Sequence, residues 1–530
     1  MKRNLLAVVL ISLSLILMSC SKDNEVVKEK EEPEKPTEPV KPPVDAAPVW
    51  SSDREKNLNI VYFVPSDLDT LPLYQKRLSE LFIWTQNWFK AEMKRNGYGE
   101  KTFGLYKDQT GKKVKIITIR GVKPKAQYPY EGGAGAVMDE VNAHFSKYPS
   151  EKSGSHILVI IPRYQTNPIG GGPFYGMGRW CFALDTEGID IKNMGTTNGG
   201  FTGWFGGMIH ELGHGLNLPH NRQKVSEGNT LGMALMWAGN STLGKTKTFL
   251  TAADCAVLNT NELFNIDNKT YYGNVNASIE SIYAKFNHAS GNLEVKGRFK
   301  SDRKVTDVLF FNDPNVNNEG VGVNKDYNSI VWTAKPISTD SFSIEMPIAD
   351  LQEKTNVTYE LKVKLVCENG TVKEFLYDYD FVNGVPNLLL PYTAPGWSIS
   401  DFSSEETKSE NGAALNAVDG NPNTYWHSRW STNTTDYPHH LTIDFKEIKT
   451  KSGITLLHRK GLSRAIKDFE VWAKGETGDY VKMGSFTTQN IEGKQKFNFT
   501  ASSSFRYLKI IALNAHDGNK FAAIGEISIY

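Results

Sequence analysis

One run of eleven residues, His210-Glu211-Leu212-Gly213-His214-Gly215-Leu216-Asn217-Leu218-Pro219-His220, constrains this chain more than any other feature. Two histidines four positions apart on a helix project from one face, about one turn apart, so both imidazoles can reach one metal ion. A third histidine six residues further on supplies a third nitrogen ligand. Glu211 lies where it can take a proton from a water molecule. The run therefore predicts a catalytic Zn²⁺ site with His210, His214 and His220 as ligands, Glu211 as general base and one open position.

The third histidine can reach the metal only if the helix ends and the chain turns back. Glycine commonly serves such a turn because its φ can be positive. This chain has Asn217 there, and asparagine is the next most tolerated residue in the left-handed region. Pro219 prevents the helix from continuing. The alternative interpretation is a helix whose histidines only make hydrogen bonds, or a zinc site that persists without catalysis.

The run resembles the extended zinc motif of the metzincin metallopeptidases, His-Glu-x-x-His-x-x-Gly-x-x-His, which is followed by a methionine-containing turn beneath the zinc. The resemblance implies an α/β domain that hydrolyses peptide bonds. Its methionine is expected at Met236, with Met233 as second choice, and core filling is the alternative for both. Several metzincins carry a tyrosine two residues after the methionine, where this chain has Ala238. The resemblance also implies a substrate that pairs with an edge strand, which we expect at residues 178–184.

The N-terminus predicts the compartment. Lys2 and Arg3 precede an apolar stretch, Leu5 to Met18, that is too short for a confident membrane-spanning helix. The stretch ends in Leu-Met-Ser-Cys, which resembles a bacterial lipobox in which Cys20 is lipidated. We therefore expect a lipoprotein signal peptide at residues 1–20, membrane contact by the lipid anchor only, and a place on the extracellular side of the outer membrane. Ordinary secretory cleavage is the alternative.

Composition and periodicity divide the rest of the chain into four parts. Residues 21–50 are rich in Glu, Lys and Pro and predict a disordered stalk. Residues 51–287 interleave strand and helix patterns and predict the metzincin-like α/β domain. Residues 288–388 contain strand-like runs with turn signals, which favour an immunoglobulin-like β-sandwich. Residues 391–530 form a further all-β module, so the fold class is multidomain.

The last module contains a second specific motif at residues 416–428. Asp419, Asn421 and Thr424 place hard oxygen ligands on a tight loop, which suits Ca²⁺. An Asx-turn that uses the same residues without a metal is the alternative.

Together with Leu441-Thr442-Ile443-Asp444-Phe445 and Ala523-Ile524-Gly525-Glu526-Ile527, this motif resembles the F5/8 type C (discoidin) domain. Bacterial relatives of that domain are often carbohydrate-binding modules of family 32. The resemblance implies a discoidin-type β-sandwich or jelly roll and a glycan ligand. It also implies a structural calcium ion, with Glu526 joining the three loop ligands.

Sugar sites in this family use a histidine, an arginine and an aromatic residue on loops at one end of the barrel. The corresponding candidates are His427, Arg459 and Phe521, while Trp426 is expected to pack in the core. Many discoidin domains bind protein or lipid instead, so the fold alone does not name a sugar.

Charge and cysteine content narrow the partners. The net charge of +1 leaves no basic excess of the kind nucleic-acid binding needs. Besides Cys20 the chain has three cysteines, of which Cys181 and Cys255 fall in the α/β domain and could pair, although the sequence gives no distance. We expect a monomer.

The leading hypothesis is a zinc endopeptidase on the bacterial cell surface that cleaves glycosylated, mucin-like proteins. Its glycan-binding module would raise the local substrate concentration. A non-catalytic glycan-binding adhesin with a scaffold zinc site is the second hypothesis, and the presence of Glu211 argues against it. A glycoside hydrolase is the third, but no carboxylate pair in a recognisable context supports it.

Overall fold

The computed structural model describes most of the chain beyond its N-terminus. The described residues are 48–164, 171–316, 326–352, 354, 357–388, 392–393, 397–420 and 423–529. The predicted signal peptide with Cys20, the stalk up to residue 47, and Asn421 lie outside these ranges. Within them, no helix is both long and apolar enough to cross a membrane.

The first folded part is an α/β domain built on a five-stranded sheet. Its strands are β1 (Asn59–Val64), β2 (Ile117–Arg120), β3 (Ile157–Pro162), β4 (Gly176–Met177) and β5 (Trp180–Asp185), and a separate short pair consists of β6 (Met233–Ala234) and β7 (Thr248–Phe249). Its helices are α1 (Tyr74–Arg95), α2 (Gly133–Lys147), α3 (Phe201–Gly215), α4 (Val225–Thr230), α5 (Leu235–Ala238) and α6 (Ala252–Asn259).

Helices cover both faces of this sheet. Strands β1 and β3 are apolar and buried along their whole length because α2 packs on one face and α1 and α3 on the other. The strand order is β2-β1-β3-β5-β4, in which the first four strands run parallel and β4 runs antiparallel. The interleaved strands and helices of the sequence prediction are therefore present.

The predicted edge strand at residues 178–184 was wrong. Strand β5 lies between β3 and β4, so the two-residue β4 forms the edge. Gly178, with φ 61°, makes the tight turn that folds the preceding chain back onto β5. A two-residue strand has no periodicity, which is why the pattern of the sequence did not reveal it.

The second part is a β-sandwich of two sheets that share one apolar core. Sheet one has the order β11-β10-β13-β14-β15 and sheet two the order β12-β9-β8-β16. The strands are β8 (Ala277–Asn287), β9 (Asn292–Ser301), β10 (Val305–Pro314), β11 (Ile330–Ala334), β12 (Ser341–Pro347), β13 (Thr358–Cys367), β14 (Val372–Val382), β15 (Val385–Leu388) and β16 (Tyr392–Thr393). The immunoglobulin-like topology stays a prediction.

The predicted domain boundary at 287/288 falls at the end of β8. This strand pairs with β9 along its whole length and turns Ile279, Ile282 and Ala284 into the sandwich core. The β-sandwich therefore begins near Ala277. Local pattern could not show this, because only pairing decides which sheet a strand joins.

The α/β domain and the β-sandwich share buried surface. Successive residues of a strand point to opposite faces, and in β10 the side chains of Val308 and Phe310 enter the sandwich core. Leu309 and Phe311 instead join the core of the α/β domain. One sheet of the sandwich is thus covered on both faces, which ties the two parts together.

The C-terminal module is a second all-β unit with its own core. Its main sheet has the order β17-β19-β22-β20-β21, with β24 also paired to β19, and a small sheet joins β18 to β23. The strands are β17 (Ser398–Phe402), β18 (Trp426–His427), β19 (His439–Leu457), β20 (Asp468–Lys474), β21 (Val481–Thr487), β22 (Lys494–Ala512), β23 (Ala523–Ile524) and β24 (Glu526–Ile529).

The cysteines that the structure describes are free and buried. Cys181 lies in β5, Cys255 in α6 and Cys367 in β13. The pairing of Cys181 with Cys255 that the sequence left open is not formed.

Candidate functional site

Three histidines converge at the C-terminal end of α3. His210 and His214 lie one turn apart on the helix, and His220 follows the turn after it. One ligand atom from each of the three can be chosen so that all lie within 4.8 Å of one another. Within the described residues, these three side chains are the set of three or more histidines, cysteines or carboxylates that lies close enough together to hold a metal ion.

Backbone carbonyls orient two of these rings. Nδ1 of His210 donates to the carbonyl of Leu235 at 2.8 Å, and Nδ1 of His214 donates to the carbonyl of Leu218 at 2.9 Å. Each bond fixes the tautomer and leaves the Nε2 lone pair for a ligand, as in most metal-binding histidines.

The donor set fits a zinc ion. Nε2 of His214 and Nε2 of His220 face each other at 3.0 Å, and two imidazole lone pairs repel at that distance unless a cation or proton lies between them. Burial, with His214 as the second cause, lowers the pKa of His210 to about 4, so its ring is neutral at physiological pH. Neutral imidazole nitrogens in a three-histidine set are typical ligands of catalytic zinc.

Glu211 is mostly buried beside this centre. Burial raises the pKa of Glu211 to about 8, although a hydrogen bond from the backbone of Gly176 lowers it in part. A side chain at Gly176 could not fit, because its Cβ would lie 2.2 Å from Cβ of His214. Glycine thus allows the edge strand β4 to approach the histidine motif. A carboxyl group with a pKa near neutrality can both take and give a proton.

The turn after α3 has the predicted left-handed residue. Asn217 has φ 70°, and the N–H of Leu218 donates to the carbonyl of Gly213 at 3.0 Å, as in a Schellman motif. The side chain of Asn217 also hydrogen-bonds Tyr272. The hydroxyl of Tyr272 in turn contacts Nε2 of His156 at 2.7 Å. Asparagine therefore provides both the backbone conformation and a buried anchor for the segment that carries the third histidine.

The structure favours Met236 over Met233 as the methionine of the turn. Met236 is fully buried, and its Sδ lies 2.4 Å from where a Cβ on Gly213 would stand. It therefore packs against α3 directly between the two helical histidines. Met233 is only half-buried, with its sulfur 3.8 Å from Oγ of Ser241.

A tyrosine lies beside the histidines, although the position after the methionine where several metzincins have one is Ala238 in this chain. The ring of Tyr327, which precedes β11 of the β-sandwich, stacks on the ring of His220 with centroids 3.5 Å apart and planes 22° apart. No local pattern in the sequence indicates this contact, because the two residues lie in different domains.

The three sugar candidates of the C-terminal module lie near one another. His427 and Phe521 have ring centroids 6.3 Å apart. Burial lowers the pKa of His427, and the nearby Arg459 lowers it further. His427 is buried, however, and its Nδ1 donates to the carbonyl of Ser428 at 2.6 Å. It therefore supports the loop more than it presents a free ring.

The sequence analysis missed three residues at this site: Glu410, Tyr425 and Trp430. The carboxylate of Glu410 accepts from Nε1 of Trp430 at 2.8 Å and from the hydroxyl of Tyr425 at 2.7 Å. The guanidinium of Arg459 lies 3.9 Å over the ring of Tyr425. Trp430 is 40% exposed, which is unusual for so large an apolar side chain. An exposed tryptophan next to an arginine, Arg429-Trp430, is the signal that could have found this site.

Three of the four predicted calcium ligands, Asp419, Thr424 and Glu526, lie near one another, and Asn421 lies outside the described residues. Oγ1 of Thr424 lies 2.9 and 2.7 Å from the two carboxylate oxygens of Asp419, and Glu526 accepts from the N–H of Gly420 at 3.2 Å. Burial and the neighbouring Asp419 raise the pKa of Glu526 well above its usual value. A buried carboxyl group at Glu526 with the carboxylate of Asp419 nearby fits a bound cation. Trp426, as predicted, is buried, and its Nε1 donates to the carbonyl of Ser404 at 2.9 Å.

Comparison with known proteins identifies the C-terminal module. The family model for the F5/8 type C domain matches residues 399–527. A sialidase of Micromonospora viridifaciens is 36% identical over 137 residues, which are 25% of this chain and 21% of that protein. The chain thus spans about a fifth of the length of this curated relative.

Comparison of folds gives a longer match. The crystal structure of OgpA from Akkermansia muciniphila is 35% identical, has a TM-score of 0.58, and is matched over 63% of this chain and 96% of its own. A second structure holds catalytically inactive OgpA in complex with an O-glycopeptide substrate, glycodrosocin. That structure is 34% identical, with a TM-score of 0.59 and the same coverage.

Proposed function

This chain belongs to the family of OgpA, and on that basis we propose that it is a zinc-dependent endopeptidase that cleaves peptide bonds in O-glycosylated, mucin-like proteins. The observation that carries the proposal is the convergence of three imidazole nitrogens within 4.8 Å, with Glu211 beside them. The O-glycopeptide bound to OgpA supports the choice of substrate class.

His210, His214 and His220 would hold the zinc ion. A zinc ion in such a site supplies Lewis-acid polarisation of the scissile carbonyl and makes a water molecule more acidic. The hydrogen bonds from Nδ1 of His210 and His214 to backbone carbonyls keep the ligand nitrogens pointed at the centre.

Glu211 carries the proton. It takes a proton from the attacking water as the new C–O bond forms, and later donates this proton to the nitrogen of the leaving amine as the peptide C–N bond breaks. Burial raises the pKa of Glu211 in the metal-free chain to about 8, and a zinc ion nearby would lower it into the range in which the carboxylate accepts a proton. The edge strand β4 supports a substrate that binds as an extra strand above the site.

The C-terminal module binds glycan in this proposal. The cluster of Trp430, Glu410, Tyr425 and Arg459 combines an exposed aromatic face with polar groups, as sugar sites do. A weak glycan contact linked to the peptidase raises the local concentration of substrate. Asp419, Asn421, Thr424 and Glu526 hold the structural calcium ion.

Location is the remaining part of the proposal. Lipidation at Cys20 and a disordered stalk would tether a monomer to the outer membrane with its folded part outside the cell. This part rests on the sequence of residues 1–50 alone.

One experiment separates this function from its alternatives. The protein is incubated with an O-glycosylated mucin and with the same mucin after enzymatic removal of its glycans. Glu211→Gln and a zinc chelator are the inactivating arms, and Glu187→Gln, an exposed carboxylate of the same domain, is the matched control. We expect new peptide termini only from the glycosylated substrate, lost in both inactivating arms and kept in the control. Bound zinc without cleavage of either substrate would favour the adhesin, and released sugars a glycoside hydrolase.

A further inference from the structure

A segment of the β-sandwich reaches the histidine centre of the α/β domain. The ring of Tyr327 lies nearly parallel to the ring of His220, with centroids 3.5 Å apart. We propose that Tyr327 is a positioning residue for the zinc centre: it sets the orientation of the His220 ring, and the β-sandwich is thereby part of the metal site. The inference rests on the proposed function only in taking zinc as the metal that the three histidines bind.

His220 differs from the other two histidines in its place relative to the helix. His210 and His214 project from a helix, and backbone carbonyls near the site bind their Nδ1 atoms. His220 lies beyond the helix, after a left-handed turn, so helical geometry does not set the plane of its ring. A stacked aromatic ring restricts rotation about the Cβ–Cγ bond, because turning the imidazole would break the face-to-face contact.

Tyr327 is itself held by the residue before it. Asp326 has φ 63°, a left-handed conformation that is uncommon for residues other than glycine. Its carboxylate binds the ammonium groups of Lys362 and Lys364, both on β13 and both buried. Lys362 also donates to Asp313 on β10 at 2.8 Å.

This buried ionic cluster is costly to desolvate and weak evidence for added stability. It does restrict the backbone at Asp326 to one conformation, and strained backbone of this kind is often found where a neighbouring side chain must be aimed. In this proposal the fixed backbone at Asp326 orients the side chain of Tyr327.

The segment that follows His220 is also held in place, by hydrogen bonds to the segment that follows Tyr327. The N–H of Arg222 donates to the carbonyl of Ser329 at 2.8 Å, and Arg222 forms a parallel bridge with Ile330 at the start of β11. Nη1 of Arg222 donates to Oδ1 of Asn328 at 3.1 Å. The segments that carry His220 and Tyr327 are therefore joined within two residues of the stacked rings.

Loss of the ring should weaken zinc binding. Removing a group that orients a metal ligand typically lowers metal affinity by about 10- to 100-fold. We expect this for Tyr327→Ala. Tyr327→Phe keeps the stacked ring and should bind zinc within about 3-fold of the unaltered protein.

The test measures zinc affinity by competition with a chromogenic chelator, together with the absorption spectrum of the Co²⁺-loaded protein. The unaltered chain, Tyr327→Phe and Tyr327→Ala are compared with Tyr283→Ala, an exposed tyrosine on β8 of the same β-sandwich. We expect weaker zinc binding and a changed Co²⁺ spectrum in Tyr327→Ala alone. Equal affinities and equal spectra in all four proteins would overturn the proposal.

A second variant tests the anchor of Tyr327 without changing either of the stacked rings. Asp326→Gly removes the carboxylate that the two lysines bind, while glycine accepts the left-handed conformation without strain. We expect a smaller loss of zinc affinity, about 3- to 10-fold, and a lower melting temperature of the metal-free protein, because Lys362 and Lys364 lose a buried counter-charge. Zinc affinity is therefore measured at a temperature at which circular dichroism shows this variant to be folded. Unchanged zinc affinity in Asp326→Gly would remove the anchoring part of the argument.

The outcomes also distinguish this inference from the proposed function. Zinc affinity is measured without substrate, so a chain that binds zinc but cleaves no glycopeptide would refute the peptidase and leave the role of Tyr327 decided by its variants. If the unaltered chain cleaves glycopeptides and Tyr327→Ala binds zinc as tightly as the unaltered chain, the peptidase is supported and the role of Tyr327 is refuted. Failure of the unaltered chain to bind zinc would overturn both.

Discussion

The histidine centre and the proposed glycan site of the C-terminal module are built in opposite ways. The three histidines come from eleven consecutive residues on one helix and its turn. The loop site of the C-terminal module collects Glu410, Tyr425, Trp430, Arg459 and Phe521 from separate segments. A site made by one helix is visible in the sequence, whereas a site made by converging loops becomes visible only when the sheet beneath them is folded.

The two regions also shift the pKa of their carboxyl groups in opposite directions. Burial raises the pKa of Glu211 at the histidine centre to about 8. At the loop site burial would raise the pKa of Glu410, but hydrogen bonds from Tyr425 and Trp430 lower it. The first environment favours proton transfer, and the second favours a fixed negative charge that holds aromatic rings in place.

The largest expected effect comes from replacing a histidine with alanine, and this replacement is made once in each region. His220→Ala should abolish stoichiometric zinc binding and lower the rate of glycopeptide cleavage by about 1,000-fold or more, because several kcal/mol of charge stabilisation are lost. His427→Ala should leave zinc content and the cleavage of short glycopeptides intact and weaken only glycan binding. Metal analysis and cleavage rates measure both. Loss of zinc from His427→Ala would show that the two regions are not independent.

A buried acid of the α/β domain should make stability depend on pH. Burial raises the pKa of Asp254 to about 6, although hydrogen bonds from Asn221 and Thr251 oppose this. The folded chain therefore holds this proton more tightly than the unfolded chain does. The stabilisation is complete below about pH 4 and is lost as pH rises through 6.

We expect the free energy of unfolding, relative to Asp254→Asn, to fall by up to about 3 kcal/mol between pH 4 and pH 7. Asparagine cannot ionise and serves as the reference. Calorimetry of the metal-free proteins across this range measures the difference. A constant difference between the two proteins would contradict the raised pKa.

The loop site should respond to acid with the opposite sign. Burial would raise the pKa of Glu406, but N–H groups of Ser431, Ser409 and Trp430 bind the carboxylate and lower its pKa to about 2. The loop that carries Trp430 is then stabilised above about pH 4.5 and loses that support as pH falls towards 2. Tryptophan fluorescence of the C-terminal module between pH 5 and pH 2 should report the change, and Glu406→Gln should abolish its pH dependence.

Calcium removal should act on the C-terminal module and not on the histidine centre. Calcium at about 100 times its dissociation constant would stabilise the folded module by about 2.7 kcal/mol. A calcium-selective chelator should therefore lower the melting temperature of the module by several degrees while zinc stays bound. Glu526→Gln lacks one of the proposed charged ligands, so this variant should bind little calcium and be insensitive to the chelator. The same response in Glu526→Gln as in the unaltered protein would argue against the site.

The smallest expected effect concerns the exposed tryptophan. Trp430→Ala should weaken glycan binding by about 1 kcal/mol, roughly 5-fold, which is the usual contribution of one stacked aromatic ring. Phe402→Ala removes a similarly exposed aromatic from β17 of the same module and should change nothing. Isothermal titration with galactose-containing oligosaccharides compares the two. Equal affinities in the two variants would place the glycan site elsewhere.

Much of the α/β domain was predictable because its signals are local. Apolar runs such as β1 and β3 marked buried strands, and the spacing of His210 and His214 marked one face of a helix. The left-handed turn at Asn217 followed from the rarity of that conformation in other residues. Each of these features depends on a few neighbouring residues.

The failures share a physical reason. The edge position of β4 and the membership of β8 in the sandwich depend on which strands pair, and pairing is a contact between distant segments. The pairing of Cys181 with Cys255 was left open by the sequence, and only the folded chain shows both thiols to be free. None of these leaves a periodic trace in the sequence.

For this protein the sequence by itself determined the side chains of the site: two imidazoles and a carboxylate at a helical spacing, because a helix repeats every turn whatever surrounds it, and a third imidazole beyond the turn that ends the helix. Only the tertiary structure decided what surrounds that chemistry. It brought Met236 beneath the helix, Gly176 against His214 and Tyr327 onto His220. These contacts join strands, turns and a second domain that meet only when the shared core between the α/β domain and the β-sandwich has formed.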